Sequence, residues 1–391
     1  MMTAMLSMLA TSAPAGAQAP TLWRVNGPPQ AGEHSPIPES DGAISLPMAE
    51  GNWLVTADIG SDAHAGTTTI KAENRRLMLD RITSAKGQHV LRRFVVHVHH
   101  AALGPVPANA PGGDHVRLRP EQAAQRNWDD RLTLEILRPG AAVRSLRVEP
   151  AHVPTLFLVG DSMVTDHPAE PTASWGQMLP AMLDDRLAVA NYAESGATLK
   201  SFLADLRLDK VLMQMKPGDY LLIQFGHNDQ KANWPQTYAE ARTTYRAYLA
   251  AYVAEARRRG ATPVLVTSPE RRNFDAAGHV IASLGDYPAA MRELAQALNV
   301  PLIDLNAMSI TLYEALGPER APAMFNDEGR DHTHYDNWGA WMAARMVADG
   351  LRAALPALAS HITSAPFDPR HPEAAQIARS AAHTGARPLG N

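Results

Sequence analysis

The chain has 391 residues, with 36 Lys and Arg against 40 Asp and Glu for a formal charge of −4, which excludes a basic nucleic-acid platform. Its 45% hydrophobic content excludes a disordered chain and supplies cores for two or three domains at about 150 residues each. The absence of Cys excludes a disulfide framework, a thiolate zinc site and a Cys nucleophile together, and no run of about 18 or more apolar residues offers a membrane span.

Residues 1–19 are small and apolar, and both Ala15-Gly16-Ala17 and Ala17-Gln18-Ala19 fit an A-x-A cleavage pattern. An export signal is the expectation, and with it a secreted or periplasmic protein. No Lys or Arg precedes the stretch, and Ala4 to Ala10 is a short apolar core. A start codon assigned too late would account for both, and a cytoplasmic protein with an Ala-rich start is the alternative.

From Gly42 to Pro150 apolar residues fall on every second position. Trp53, Val55, Ala57 and Ile59 alternate with mostly polar neighbours, as do Phe94, Val96 and Val98, then Leu132, Leu134 and Ile136, then Leu146 and Val148. Short alternating runs between Gly- and Pro-rich turns predict an all-β sandwich over residues 22–150. His97 and His99 share one strand face, a spacing that suits a metal but is expected to be a solvated face.

After Pro154 the pattern changes. Continuous apolar runs at Leu156–Val159, Ala188–Ala193, Tyr220–Phe225, Pro263–Thr267 and Pro301–Leu305 read as buried strands, separated by helical stretches. The clearest helix is predicted from Tyr238 to Arg259, where Tyr238, Ala241, Tyr245, Tyr248, Leu249, Tyr252 and Val253 form a stripe that Gly260 stops. Such alternation implies a parallel sheet covered on both faces over residues 154–360, with ligands beyond the C-terminal strand ends. Residues 364–391 lack periodicity and are read as a poorly ordered tail.

Four segments carry chemistry. Gly160-Asp161-Ser162 ends the first of these strands, where a hydroxyl and a backbone N–H can face substrate. Gly196 follows the second strand and allows close approach of its N–H to developing negative charge. In Gly226-His227-Asn228-Asp229, after the third, the Asn228 amide can donate a further bond to an oxyanion. Each alone is also an ordinary turn. The fourth is Asp331-His332-Thr333-His334, where a carboxylate three residues from His334 can hold one imidazole nitrogen while the other faces Ser162. His332 competes for that role, and the His-rich loop in isolation also suits a metal.

These blocks, in this order, resemble those of the SGNH or GDSL hydrolase superfamily. Gly160 to Asp166, Ser174-Trp175-Gly176-Gln177-Met178-Leu179, Gln224 to Asp229 and Asp331 to Tyr335 are similar to its rhamnogalacturonan acetylesterase branch. Met163 departs from the Thr or small residue common there. The resemblance implies an α/β fold, a three-layer parallel-sheet (flavodoxin-like) hydrolase preceded by a β-sandwich domain. It implies Ser162 as nucleophile, His334 as base, Asp331 as orienting acid, and the Ser162 and Gly196 N–H groups with the Asn228 amide as oxyanion donors, with no metal and no cofactor. The substrate it implies is an acetylated polysaccharide or oligosaccharide of pectin type. Asp161, Trp175, His227, Arg272 and Trp338 are candidate substrate contacts, and Arg271 with Arg272 suits a uronic-acid carboxylate. Asp166, His167, Glu170, Lys200, His227, Lys231, Arg271 and Arg272 read as a polar rim that favours short acyl groups. A lipolytic or thioester-cleaving hydrolase and an inactive carbohydrate-binding protein on an esterase scaffold are the alternatives.

Overall fold

The computed structural model describes residues 19–107, 109, 111–137 and 143–372. The expected export signal up to residue 18 and the tail beyond residue 372 lie outside them. Ten strands precede residue 151: β1 (Thr21–Arg24), β2 (Glu33–His34), β3 (Ile37–Pro38), β4 (Ile44–Pro47), β5 (Gly51–Gly60), β6 (Gly66–Ala72), β7 (Arg76–Ser84), β8 (His89–Val98), β9 (Arg131–Leu137) and β10 (Val143–Pro150). They form two five-stranded sheets in the orders β2, β1, β10, β5, β8 and β3, β4, β9, β6, β7. Both are antiparallel apart from the parallel pair β1 and β2. The period-two residues are the ones that pack: Val55, Ala57, Ile59, Val96, Leu132, Leu134 and Leu146 from both sheets share one buried cluster. Pairing of Val55 with Phe94 and Trp53 with Val96 sets the β5–β8 register that puts them on one face.

The second half holds a parallel sheet of β11 (Thr155–Gly160), β12 (Ala188–Asn191), β13 (Tyr220–Gln224), β14 (Thr262–Val266) and β15 (Leu302–Ile303), in the order β12, β11, β13, β14, β15. This is the doubly wound arrangement, and β11 sits between the strands on which the winding reverses. The helices among the described residues are α1 (Pro120–Ala123), before the sheet, then α2 (Trp175–Met178), α3 (Leu199–Ala204), α4 (Arg207–Gln214), α5 (Thr244–Arg258), α6 (Tyr287–Leu298), α7 (Leu305–Arg320) and α8 (Asn337–Ala354). One face of the sheet packs with residues of α7 and α8 such as Leu312 and Met346. The other packs with those of α3 to α6, including Phe202, Val211, Tyr252 and Met291.

Three expectations change. The helix expected from Tyr238 begins only at Thr244, because the Glu240 carboxylate takes the Arg242 and Thr243 N–H groups and the Ala239 N–H turns back to the Asp229 carbonyl. These local bonds compete with helix. Residues 364–372 are not loose: Phe367 is buried in the core on one face of the parallel sheet and its N–H meets the Asp349 carboxylate. His97 and His99 do not face solvent, being 3% and 2% exposed. The His97 ring nitrogens bond Asn52 Oδ1 at 2.8 Å and the Tyr192 hydroxyl at 3.0 Å, and His99 stacks on Tyr192. Burial holds both imidazoles neutral, with His97 pushed down to about 3. Among the described residues no group of three or more His, Asp or Glu is arranged to hold a metal.

The two halves are locked together at the start of β7. Its Arg76 guanidinium meets the buried Asp166 carboxylate through two 2.9 Å contacts and also donates to the His97 carbonyl at 3.2 Å. Removing one partner of such a pair strands the other charge, at a cost of about 3–5 kcal/mol. Arg76→Leu should lower stability by that amount in urea unfolding, and adding Asp166→Asn should recover part of it. Equal stability of Arg76→Leu and the native protein would show that the pair is dispensable.

Candidate active site

The site is assembled at the C-terminal ends of β11, β12 and β13 and completed by the loop before α8. Just past β11, the Asp161 carboxylate accepts from the Met163 N–H at 3.0 Å and from Gln224 Nε2 at 3.1 Å, and the Val164 and Thr165 N–H groups both return to the Asp161 carbonyl. This tight turn presents Ser162, 6% exposed. Its hydroxyl lies 3.1 Å from His334 Nε2, and His334 Nδ1 lies 2.8 Å from Asp331 Oδ2.

The Asp331 loop has its own reason to hold shape. Asp331 Oδ1 accepts the N–H groups of Thr333 and His334 at 2.7 and 3.0 Å. Partial burial raises the Asp331 pKa, but the His334 hydrogen bond and charge and these two N–H bonds outweigh it and bring it down to about 2. The ionised carboxylate therefore accepts the Nδ1 proton, leaving Nε2 to accept from Ser162. His332 is exposed and turned to Asn273 at 2.7 Å, so it is not the partner of Ser162.

Gly196 follows β12 in a left-handed conformation, φ 78°, which a glycine adopts without Cβ strain. The turn is fastened to β11 by the Glu194 N–H, which donates to the Gly160 carbonyl at 3.0 Å. Asn228 Nδ2 donates to the Ala197 carbonyl at 3.2 Å, fixing the amide beside the same turn. Ser162, Gly196 and Asn228 thus follow three adjoining strands, β11, β12 and β13. A hydroxyl hydrogen-bonded to an imidazole that is itself held by a carboxylate is equipped for general-base activation and acyl transfer.

Residues 158–342 match the GDSL-like lipase/acylhydrolase family. The chain is 40% identical over 222 residues to the rhamnogalacturonan acetylesterase RhgT of Bacillus subtilis, covering 54% of this chain and 94% of that one. It is 36% identical over 200 residues to the probable rhamnogalacturonan acetylesterase YesY of the same organism, 50% of this chain and 92% of the relative. A third relative there, the uncharacterized esterase YxiM, is 30% identical over 216 residues, 54% of this chain and 55% of its own. The chain belongs to the GDSL-like lipase/acylhydrolase family. It is a carboxylic ester hydrolase and resembles the rhamnogalacturonan acetylesterases within that family.

Several residues expected to touch substrate have other work in this GDSL hydrolase. Trp175 is fully buried, and its indole N–H donates to Gln224 Oε1 at 2.8 Å. Through Gln224 it holds Asp161, which is itself fully buried. Arg272 lies over the Phe325 ring, donates to the Gly329 carbonyl and takes the His332 carbonyl on its own N–H, so it braces the Asp331 loop. His227 is buried with Nε2 donating to the Pro269 carbonyl at 2.8 Å. Trp338 packs half-buried against the hydrolase core, and its indole N–H is buried. The expected rim also shrinks, because Asp166 and His167 are buried.

Sequence reasoning missed what Asp166 and His167 do. His167 Nε2 donates to the Ser162 carbonyl at 2.7 Å, and burial keeps this imidazole neutral, near 3. The Arg75 guanidinium takes the carbonyls of His167 and Thr172 at 3.2 and 2.9 Å, and Gln177 Nε2 takes those of Asn74 and His167. The polar run Glu73-Asn74-Arg75-Arg76 beside a β-strand was the available signal.

Two buried carboxyls give the site a pH signature. Burial pushes Asp161 up to about 6, and burial together with the Asp161 charge pushes Asp229 up to about 7. In the unfolded chain such groups ionise near 4. Between these values the folded state holds the protons, so this contribution to stability is full below about pH 4 and is lost as pH rises toward 7. Asp229→Asn keeps an oxygen for the Leu199 N–H, which Asp229 Oδ1 accepts at 2.9 Å. Its urea midpoint should exceed that of the native protein near pH 8 and approach it near pH 4; an equal offset at both would contradict the assignment.

Proposed function

We propose that this chain is a serine carbohydrate esterase that removes acetyl groups from pectin-type polysaccharide through a Ser162 acyl-enzyme. The observation that carries the reading is the continuous chain of contacts from Asp331 through His334 to the Ser162 hydroxyl. The relatives described as rhamnogalacturonan acetylesterases support the substrate class.

In this reading His334 Nε2 takes the Ser162 proton as Oγ attacks the acetyl carbonyl. The Ser162 and Gly196 N–H groups and the Asn228 amide stabilise the oxyanion, and Asp331 stabilises the imidazolium. His334 then returns the proton to the departing sugar oxygen. Water, deprotonated by the same imidazole, cleaves the acetyl-serine and releases acetate. Residues 22–150 are read as an accessory sandwich, residues 154–360 as the hydrolase domain, and residues 1–19 as an export signal that delivers the enzyme to polysaccharide outside the cytoplasm.

Ser162→Ala should reduce acetate release by roughly 10⁴–10⁶-fold while leaving the unfolding transition in place. Asn228→Ala should lower kcat by about 10²–10³ with little change in KM; a pure KM effect would make Asn228 a substrate contact instead. The substrate class is tested with acetyl, butyryl and decanoyl esters of one chromogenic alcohol. A groove for long acyl chains would add roughly 0.8 kcal/mol per buried CH₂. The value of kcat/KM should fall steeply with chain length, and a rise toward decanoyl would replace the carbohydrate reading with a lipolytic one.

A further inference from the structure

Beside the Gly196 turn lies a cleft of about 370 Å³, lined by the segments Glu194 to Ala197 and Arg117 to Arg119. Trp234 and Thr237, from the segment after Asn228, and Asp205 and Arg207 complete its wall. The two arginines at 117 and 119 precede the parallel sheet and lie outside residues 158–342 that match the family. The cleft therefore joins a wall of the ester-hydrolysing site to a segment contributed by the N-terminal half.

Its charges are unevenly committed. Arg207 and Arg119 both engage the Glu194 carboxylate, at 3.2 and 3.1 Å, and Arg119 also pairs with Glu121 at 2.8 Å. Arg117 is different: it is exposed, and its guanidinium makes no hydrogen bond or ion pair among the described residues. Asp205 senses its charge, but burial keeps the Asp205 pKa raised. Glu194 and Glu121 thus engage Arg207 and Arg119, and the fork of Arg117 is uncommitted. Trp234 is half-exposed in the same wall, with the Lys231 ammonium 4.0 Å from its ring centroid, which adds positive charge at the rim. A guanidinium fork matches a carboxylate in two parallel bonds, and an indole presents an apolar face suited to the C–H face of a sugar ring.

We propose that this cleft is a subsite for a uronate residue of the acetylated polysaccharide, with Arg117 binding the sugar carboxylate and Trp234 packing against the ring. The proposal rests on the pectin-type reading above and specifies where the acidic character of that substrate is recognised. Arg271 and Arg272, which the sequence offered for this task, are turned to the protein itself, Arg271 to the His227 carbonyl and Ser283 and Arg272 to the Gly329 carbonyl. A chain with its acetyl ester at Gly196 and Ser162 places a neighbouring sugar at the cleft, because Gly196 and Ala197 line it.

The test compares the full chain with Arg117→Gln and Trp234→Ala on three substrates: an acetylated uronate-containing polysaccharide, the same polymer with its carboxyl groups methyl-esterified, and 4-nitrophenyl acetate. Arg117→Gln should raise KM for the acidic polymer about tenfold, the order expected for one charge-assisted contact. It should leave kcat, the esterified polymer and the small ester unchanged, and the difference should shrink in high salt. Trp234→Ala should raise KM for both polymers and leave the small ester unchanged. If the native protein prefers the acidic polymer and both variants keep that preference, the subsite is refuted while the pectin reading stands. If the native protein deacetylates both polymers equally, the subsite is refuted while the pectin reading stands, and if it deacetylates neither, the reading and the subsite fall together. A parallel loss on all three substrates would show a structural role for Arg117 and overturn the assignment.

Discussion

A single buried carboxylate, Asp166, ties the two halves of the molecule to the turn that carries Ser162. It receives Arg76 from the start of β7, Asn127 from the segment before β9, and Asn191 Nδ2 from the end of β12 at 2.7 Å. A charge withdrawn from water in this way is tolerable only when its oxygens are fully engaged. The three donors come from parts of the chain far apart in sequence, so the carboxylate can be satisfied only in the assembled protein. Next to it in the chain, His167 donates to the Ser162 carbonyl. The position of Ser162 is thereby made dependent on the N-terminal sheets.

The same logic extends around the site. Gln224 stands between the Trp175 indole and the Asp161 carboxylate, so a residue on β13 aligns a turn leaving β11. Ser174 caps α2 through the Gln177 N–H, while its hydroxyl also donates to the Val164 carbonyl at 2.9 Å. Gly176 sits so close to that carbonyl that a Cβ would lie 2.1 Å from it, which explains a glycine after the tryptophan. Each of these contacts positions the reactive groups without touching them, and such supports decide whether a site is accurate to a fraction of an ångström.

The N-terminal half consequently acts as more than a neighbour. The end of its β8 and the residue just past it carry His97 and His99 into an aromatic cluster with Phe157, Tyr192 and Trp128, at the flank of the parallel sheet. The Arg207 guanidinium lies over Trp128 while also meeting Glu194. One cation thus links that cluster to the turn that carries Gly196, and the cleft beside it is walled from both halves of the chain.

The places of the parallel strands and the four chemical blocks along the chain could be read from the sequence because each rests on local features. Apolar runs such as Leu156–Val159 mark a strand buried on both faces, and the residue after such a strand lies at its end in any winding of the sheet. The spacing of Asp331 and His334 likewise lets one loop hold both groups. Strands such as β5 were legible because one face is buried and the other is not, giving the period of two. Strand β6 was not, since Ile70, Lys71 and Ala72 are all buried, and burial on both faces erases the alternation. The roles of Arg75, Arg76, Asp166 and His167, the burial of His97 and His99, and the conversion of Trp175 and Arg272 from candidate substrate contacts into supports were decided only by tertiary structure. A polar residue looks the same in sequence whether it faces water or a partner brought from a hundred residues away, and only the fold determines which of the two it meets.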